Sequence, residues 1–108
     1  DSISMGGMGD GRTKLGSLDV EVIGGRATLA GTTALAGSVI ALDEALRAMV
    51  AAGTPVPAAV AAASTNPLDL IGQADRGRIE VGQRADLVVL DDDLMVRGVW
   101  LAGKPLDA

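Results

Sequence analysis

The stretch SVIALDEALRAMVAAG, residues 38–53, constrains this chain more than any other. Val39, Leu42, Leu46, Met49 and Val50 recur at helical spacing, and Asp43 and Arg47 stand one turn apart as an ion pair would. Ser38 is the expected N-cap and Gly53 suits the position just past the last turn. A helix with one apolar stripe must lay it on a partner surface, so the flanking segments have to supply one. Thr54, read as an N-cap with Pro55 at the first helical position, predicts a second helix to about Ala63. NPLDLIG repeats the pattern in miniature, with Asn66 as cap, Pro67 first and Gly72 as stop.

On both sides of the helices the apolar period falls to two. In SLDVEVIGGRATL, Leu18, Val20 and Val22 share one face while Asp19 and Glu21 take the other; Gly24-Gly25 can supply the positive φ of a tight hairpin. From Arg78 onward the chain reads as short strands, of which ADLVVL is the most continuous, with a turn expected around Ala102-Gly103-Lys104. The order is therefore loop, hairpin, helices, strands, with no internal repeat. The change of period between Gln73 and Arg78 places an expected boundary between residues 1–75 and 76–108.

Composition narrows the chemistry. Hydrophobic residues are 48% of the 108, yet the chain has one Trp and no Phe or Tyr, so small aliphatics must fill its core. The net charge of −5 with scattered basic residues argues against a nucleic-acid partner. The most apolar run, AVAAAS, is too short to span a bilayer, and no signal-peptide pattern opens the chain. A soluble, cytoplasmic protein with no membrane partner is expected. The absence of Cys fits a reducing compartment. With neither His nor Cys, these residues cannot assemble a conventional zinc site or a Ser-His-Asp triad.

Three polar features remain. Gly7-x-Gly9-x-Gly11 lacks the preceding strand and following helix of a phosphate-binding loop and reads as a flexible surface loop. Asp91 to Asp93 read as a solvated turn between strands. Ser38 is explained by capping alone, although LAGS also offers backbone N–H groups and a tight Gly37 where a polar ligand could approach. Asp1, at the start of the chain, carries no signal by itself.

Taken together, the leading Asp with its glycine-rich loop, ALAGSVIALDEALRAMVAAG, ASTNPLDLIG and the closing strands resemble the carboxy-terminal part of the N-acetylglucosamine-6-phosphate deacetylase family, within the metal-dependent amidohydrolase superfamily. The segment G-x-I-x-x-G-x-x-A-D-L-V-V-L-D (Gly77 to Asp91), followed by V-x-x-x-G-K (Val99 to Lys104), is general to the superfamily. The loop, hairpin and LAGS are the more selective part.

The resemblance implies an α/β fold: residues 1–75 as the end of a (β/α)8 TIM barrel and 76–108 as strands of a small β-sandwich built from both chain ends. It places Asp1 at the C-terminal end of the last barrel strand, where barrel enzymes keep their catalytic groups. It implies a divalent metal, zinc or similar, that activates water and polarises the acetamide carbonyl, held by residues outside this segment. Asp1 matches the aspartate that takes the water's proton and delivers it to the departing amine. Leu35, Ala36 and Gly37 match the segment that contacts substrate. The implied reaction converts N-acetylglucosamine 6-phosphate and water to glucosamine 6-phosphate and acetate, in amino-sugar catabolism and cell-wall recycling. The implied partners are the N-terminal remainder of the same enzyme, the small amino-sugar phosphate and a second copy in a homodimer. A chain opening on Asp rather than Met reads as a segment of a longer enzyme, with no activity expected from it alone. Two alternatives stand beside this reading: another amidohydrolase with the same tail, dihydroorotase-like or aminoacylase-like, and a non-catalytic structural module.

Overall fold

The computed structural model describes residues 1–106; positions 107 and 108, at the end of the expected strand segment, lie outside the described residues. The described residues mix helices with two three-stranded antiparallel sheets, and the chain divides into two compact units, Asp1–Ala41 and Leu42–Ala108.

The first unit is a meander of β1 (Gly11–Leu15), β2 (Leu18–Ile23) and β3 (Arg26–Leu29), in that spatial order. The alternation in β2 holds for Val20 and Val22, which are buried, but not for Leu18 at the strand's start, which is 50% exposed; Ala27 and Ala36 close a small core against Ile3, Met5, Leu29 and Val39. Gly24 (φ 58°) and Gly25 (φ 76°) form the two-residue hairpin turn, as expected; both need positive φ, which glycine adopts without a Cβ penalty. Asp10 holds that turn by accepting the Gly24 N–H at 2.9 Å.

β1 corrects the reading of the opening residues as loop throughout. GRTKL is polar and shows no apolar alternation, so its strand character comes from pairing with β2. The register sets Arg12 opposite Glu21 and Lys14 opposite Asp19, and both pairs close as ion pairs, at 3.0 and 2.7 Å. Cross-strand opposite charges of this kind add only modestly to a sheet, but they fix which residues face each other.

The second unit carries α1 (Leu42–Ala51), α2 (Val56–Ala63) and α3 (Thr65–Leu70), then β4 (Leu87–Leu90), β5 (Val96–Leu101) and β6 (Lys104–Pro105), with the strands in sequential order. Asp43 and Arg47 form the expected ion pair at 2.9 Å. The Gly53 N–H donates to Val50 O and the Thr54 N–H to Met49 O, the paired bonds of a Schellman ending with glycine in the left-handed region (φ 101°). Gly72 ends α3 the same way, with Gly72 N–H to Asp69 O and Gln73 N–H to Leu68 O.

The three expected caps are displaced. Ser38 does not cap α1, which starts only at Leu42; its hydroxyl accepts the Ile40 N–H in a local turn and Val39 packs on the sheet of the first unit. Thr54 is consumed in ending α1, so Pro55 is the N-cap residue of α2, its carbonyl accepting from Ala58 and Ala59. Asn66 lies inside α3, which starts one residue earlier and takes Ser64 as its cap position.

The closing strands turn where expected. Ala102 (φ 50°) and Gly103 (φ 78°) form a two-residue turn with both φ positive. In this unit an apolar cavity of about 520 Å³ is lined mainly by side chains such as Leu42, Leu46, Val60, Leu87, Leu90 and Val99.

Candidate active site

Every sequence-predicted site residue falls in the first unit, and the fold brings them together. Past β3 the chain doubles back: the Leu29 N–H donates to Ala34 O, Leu35 pairs antiparallel with Thr28, and the Ala36 N–H donates to Ala27 O at 3.1 Å. The other side of this returning segment receives the start of the chain. Ser38 N–H donates to Asp1 O at 2.8 Å, Ile3 N–H donates to Ser38 O at 2.9 Å, and Ser2 and Ser38 form a parallel bridge. LAGS is therefore a short rail with β3 on one edge and Asp1–Ile3 on the other.

The three residues of the rail present different surfaces. Leu35 is 68% exposed and offers an apolar side chain to solvent. Ala36 is buried in the core of the unit, so its methyl group meets protein rather than ligand. Gly37 sits at φ +83°, and a Cβ placed there would lie 2.6 Å from Ile3 Cγ2, 3.0 Å from Asp1 O and 3.6 Å from Asp1 Oδ1. The Asp1 carboxylate thus stands beside the bare Cα of Gly37 and is itself exposed. An exposed, ionisable carboxylate held on hydrogen-bonded backbone beside a glycine can exchange a proton with a bound small molecule. It cannot fix a metal alone. Among the described residues no three His, Cys, Asp or Glu side chains converge on a point that could hold an ion, so the metal implied by the resemblance does not fit the residues of this chain.

The other polar constellations are structural. Asp91 Oδ1 accepts the Asp93 and Met95 N–H groups at 3.0 and 2.9 Å, while Oδ2 takes Arg97 Nε at 2.7 Å. The Met95 N–H is the main reason this carboxyl is held below the usual range. Asp86 Oδ1 accepts the Ala102 N–H at 2.8 Å and Arg84 Nε at 2.9 Å; the Ala102 bond chiefly lowers its pKa. Both acidic positions of the A-D-L-V-V-L-D run thus pin turns at the ends of β4 and β5. Periodicity gave no sign of the Asp86 contact to Ala102, nor of Ile3 beside Gly37, because each joins residues far apart in sequence that only the folded sheets bring together.

Residues 28–105 match the model of the amidohydrolase family. An N-acetylglucosamine-6-phosphate deacetylase of Bos taurus is 42% identical over 106 residues, which is 96% of this chain and 26% of that protein. The crystal structure of N-acetylglucosamine-6-phosphate deacetylase from Thermotoga maritima superimposes with a TM-score of 0.83 at 40% identity, over 97% of this chain and 29% of that one. The deacetylase from Mycobacterium smegmatis, solved in complex with N-acetyl-D-glucosamine-6-phosphate, gives 0.81 at 38% identity over 96% and 28%. The chain spans about a quarter of the length of such relatives.

Proposed function

The chain belongs to the amidohydrolase family, and from that premise we propose that it forms part of a metal-dependent deacetylase acting on N-acetylglucosamine 6-phosphate. The observation that carries this reading is the extent of the likeness. The family model matches only residues 28–105, whereas the likeness to deacetylases covers 96–97% of the chain and so reaches into the glycine loop and hairpin. A dihydroorotase-like or aminoacylase-like enzyme would share the tail without that extension, and the relatives matched over nearly the whole chain are deacetylases rather than structural modules.

In this reading Asp1 is the proton carrier. Hydrolysis of the acetamide adds a water oxygen to the carbonyl carbon and breaks the C–N bond. The amine leaves poorly unless protonated, so one group must take the water's proton and pass it to nitrogen. Asp1, exposed and held at its carbonyl by Ser38, is suited to that transfer. Leu35 and Gly37 form part of the wall that orients the sugar, with Ala36 as the buried stud that anchors the wall. The metal ligands and phosphate-gripping groups come from the remainder of the enzyme. Residues 1–75 serve as the end of a TIM barrel and 76–108 as strands of a small β-sandwich, in a cytoplasmic homodimer.

The test is acetate release by a deacetylase of the relatives' full length carrying this segment, with Asp1→Asn beside the unmodified protein. Removing the proton carrier should lower kcat by roughly 10²–10⁴-fold, with bound metal unchanged. Activity retained in Asp1→Asn overturns the assignment.

A further inference from the structure

Gly37 could be glycine for its φ alone, but its surroundings show a second constraint. The side-chain slot it leaves vacant is already filled. Ile3 Cγ2 lies 2.6 Å from where a Cβ would stand, and the Asp1 carbonyl and carboxylate oxygens form the rest of the slot at 3.0 and 3.6 Å. Ile3 is partly buried against the Val20–Val22–Ala27–Ala36 core, so its branched side chain is anchored from beneath. The backbone on either side is pinned by the Ser38 bonds to Asp1 O and Ile3 N–H. Asp1 is therefore held at its carbonyl by one hydrogen bond, and its carboxylate and the Ile3 methyl group border the same slot over Gly37.

We infer that Ile3 and Gly37 are positioning residues for Asp1: the Ile3 Cγ2 methyl group, seated in the slot left by Gly37, locks the Asp1–Ile3 backbone onto the LAGS rail and so sets where Asp1 stands. This inference rests on the assignment of Asp1 as proton carrier. It adds a residue, Ile3, which packs against Gly37 of the proposed substrate wall. A proton carrier displaced by about 1 Å can lose on the order of a hundredfold in rate, which makes the slot measurable in kinetics.

The experiment uses the full-length, metal-loaded enzyme with N-acetylglucosamine 6-phosphate. Ile3→Ala removes Cγ2 and should lower kcat about tenfold with KM within about twofold, the order set by partial displacement of the base. Ile3→Val keeps Cγ2 and should return kcat to within about twofold of the unmodified enzyme, and denaturant unfolding of both variants reads the loss of packing separately from kcat. Gly37→Ala should cost on the order of a hundredfold in kcat, and adding Ile3→Ala to it should recover several-fold, because the 2.6 Å collision is gone. If Gly37→Ala does not fold, the Ile3→Ala and Ile3→Val pair decides alone. Unchanged kcat in Ile3→Ala, or Ile3→Val as impaired as Ile3→Ala, overturns the positioning role. Asp1→Asn separates the two claims. An inactive Asp1→Asn beside a normal Ile3→Ala removes only the positioning role, whereas an active Asp1→Asn removes the proton carrier and this inference with it.

Discussion

Gly98→Ala should destabilise the second unit even though Gly98 needs no unusual backbone. Gly98 lies in β5 opposite Val89, and its φ is not among the positive values of the chain. What excludes a side chain is Trp100, two residues along on the same face: a Cβ at Gly98 would stand 2.8 Å from Cζ3 and 3.0 Å from Cη2. Carbon atoms pack at about 3.5–4.0 Å, so the indole must retreat by roughly 0.7 Å or leave its rotamer. Forcing a methyl group into such a contact costs about 1–3 kcal/mol. The gain from restricting the unfolded chain offsets about 0.4–1 kcal/mol of that. A net loss of roughly 1–2 kcal/mol follows. Denaturant unfolding of the enzyme carrying Gly98→Ala measures it, and a double-mutant cycle with Trp100→Leu isolates the cause. Without the ring the same Ala should be neutral or stabilising, giving a coupling energy of at least about 1 kcal/mol. Equal or greater stability in Gly98→Ala, or coupling below about 0.5 kcal/mol, would refute the steric argument.

Ala102→Gly should act in the opposite direction. Ala102 holds φ 50° in the β5–β6 turn, a strain of about 1 kcal/mol for an L side chain, of which the freer unfolded glycine returns about half. A small rise in the unfolding midpoint is expected, and a fall would show that the Ala102 methyl group packs usefully. The lowered pKa values of Asp86 and Asp91 set an acid limit. A carboxyl whose folded pKa lies below its unfolded value of about 3.9 stabilises fully above that pH, and its contribution is lost as pH falls through the folded value. Thermal midpoints should therefore hold from neutrality to about pH 5 and drop below about pH 4. The drop should be shallower in Asp91→Asn, and identical slopes in the two proteins would exclude Asp91 from the transition.

Elements built from contiguous periodicity were legible in the residues themselves. The β2–β3 hairpin follows from alternating valines and a Gly-Gly turn, and both helix ends at Gly53 and Gly72 follow from local hydrogen-bond geometry. The displaced caps show where local reasoning stops. Ser38 and Thr54 have cap-forming side chains, but their backbone groups are claimed by a parallel bridge and by a neighbouring helix end. β1 was hidden because a polar edge strand has no apolar rhythm; only charges on β2 reveal its partner. The candidate site was legible as a set of residues through the resemblance. Its geometry was not, since nothing in the spacing of Asp1 and Gly37 announces that they touch.

The bridge between Ser2 and Ser38 spans the entire meander, with β1, β2 and β3 lying between its two ends. A contact that closes so long an intervening stretch can form only after the sheet has folded, and it is secured by two backbone bonds rather than a ladder. It is therefore the part of the unit that opens at least cost, well before β2 loses its protection. The Ile3 and Ser38 amides should exchange with solvent together and ahead of those in β2. Each such opening breaks the two bonds that join Asp1 and Ile3 to Ser38. A sugar seated against that rail would slow the exchange of both amides, so occupancy of the site could be followed without any turnover.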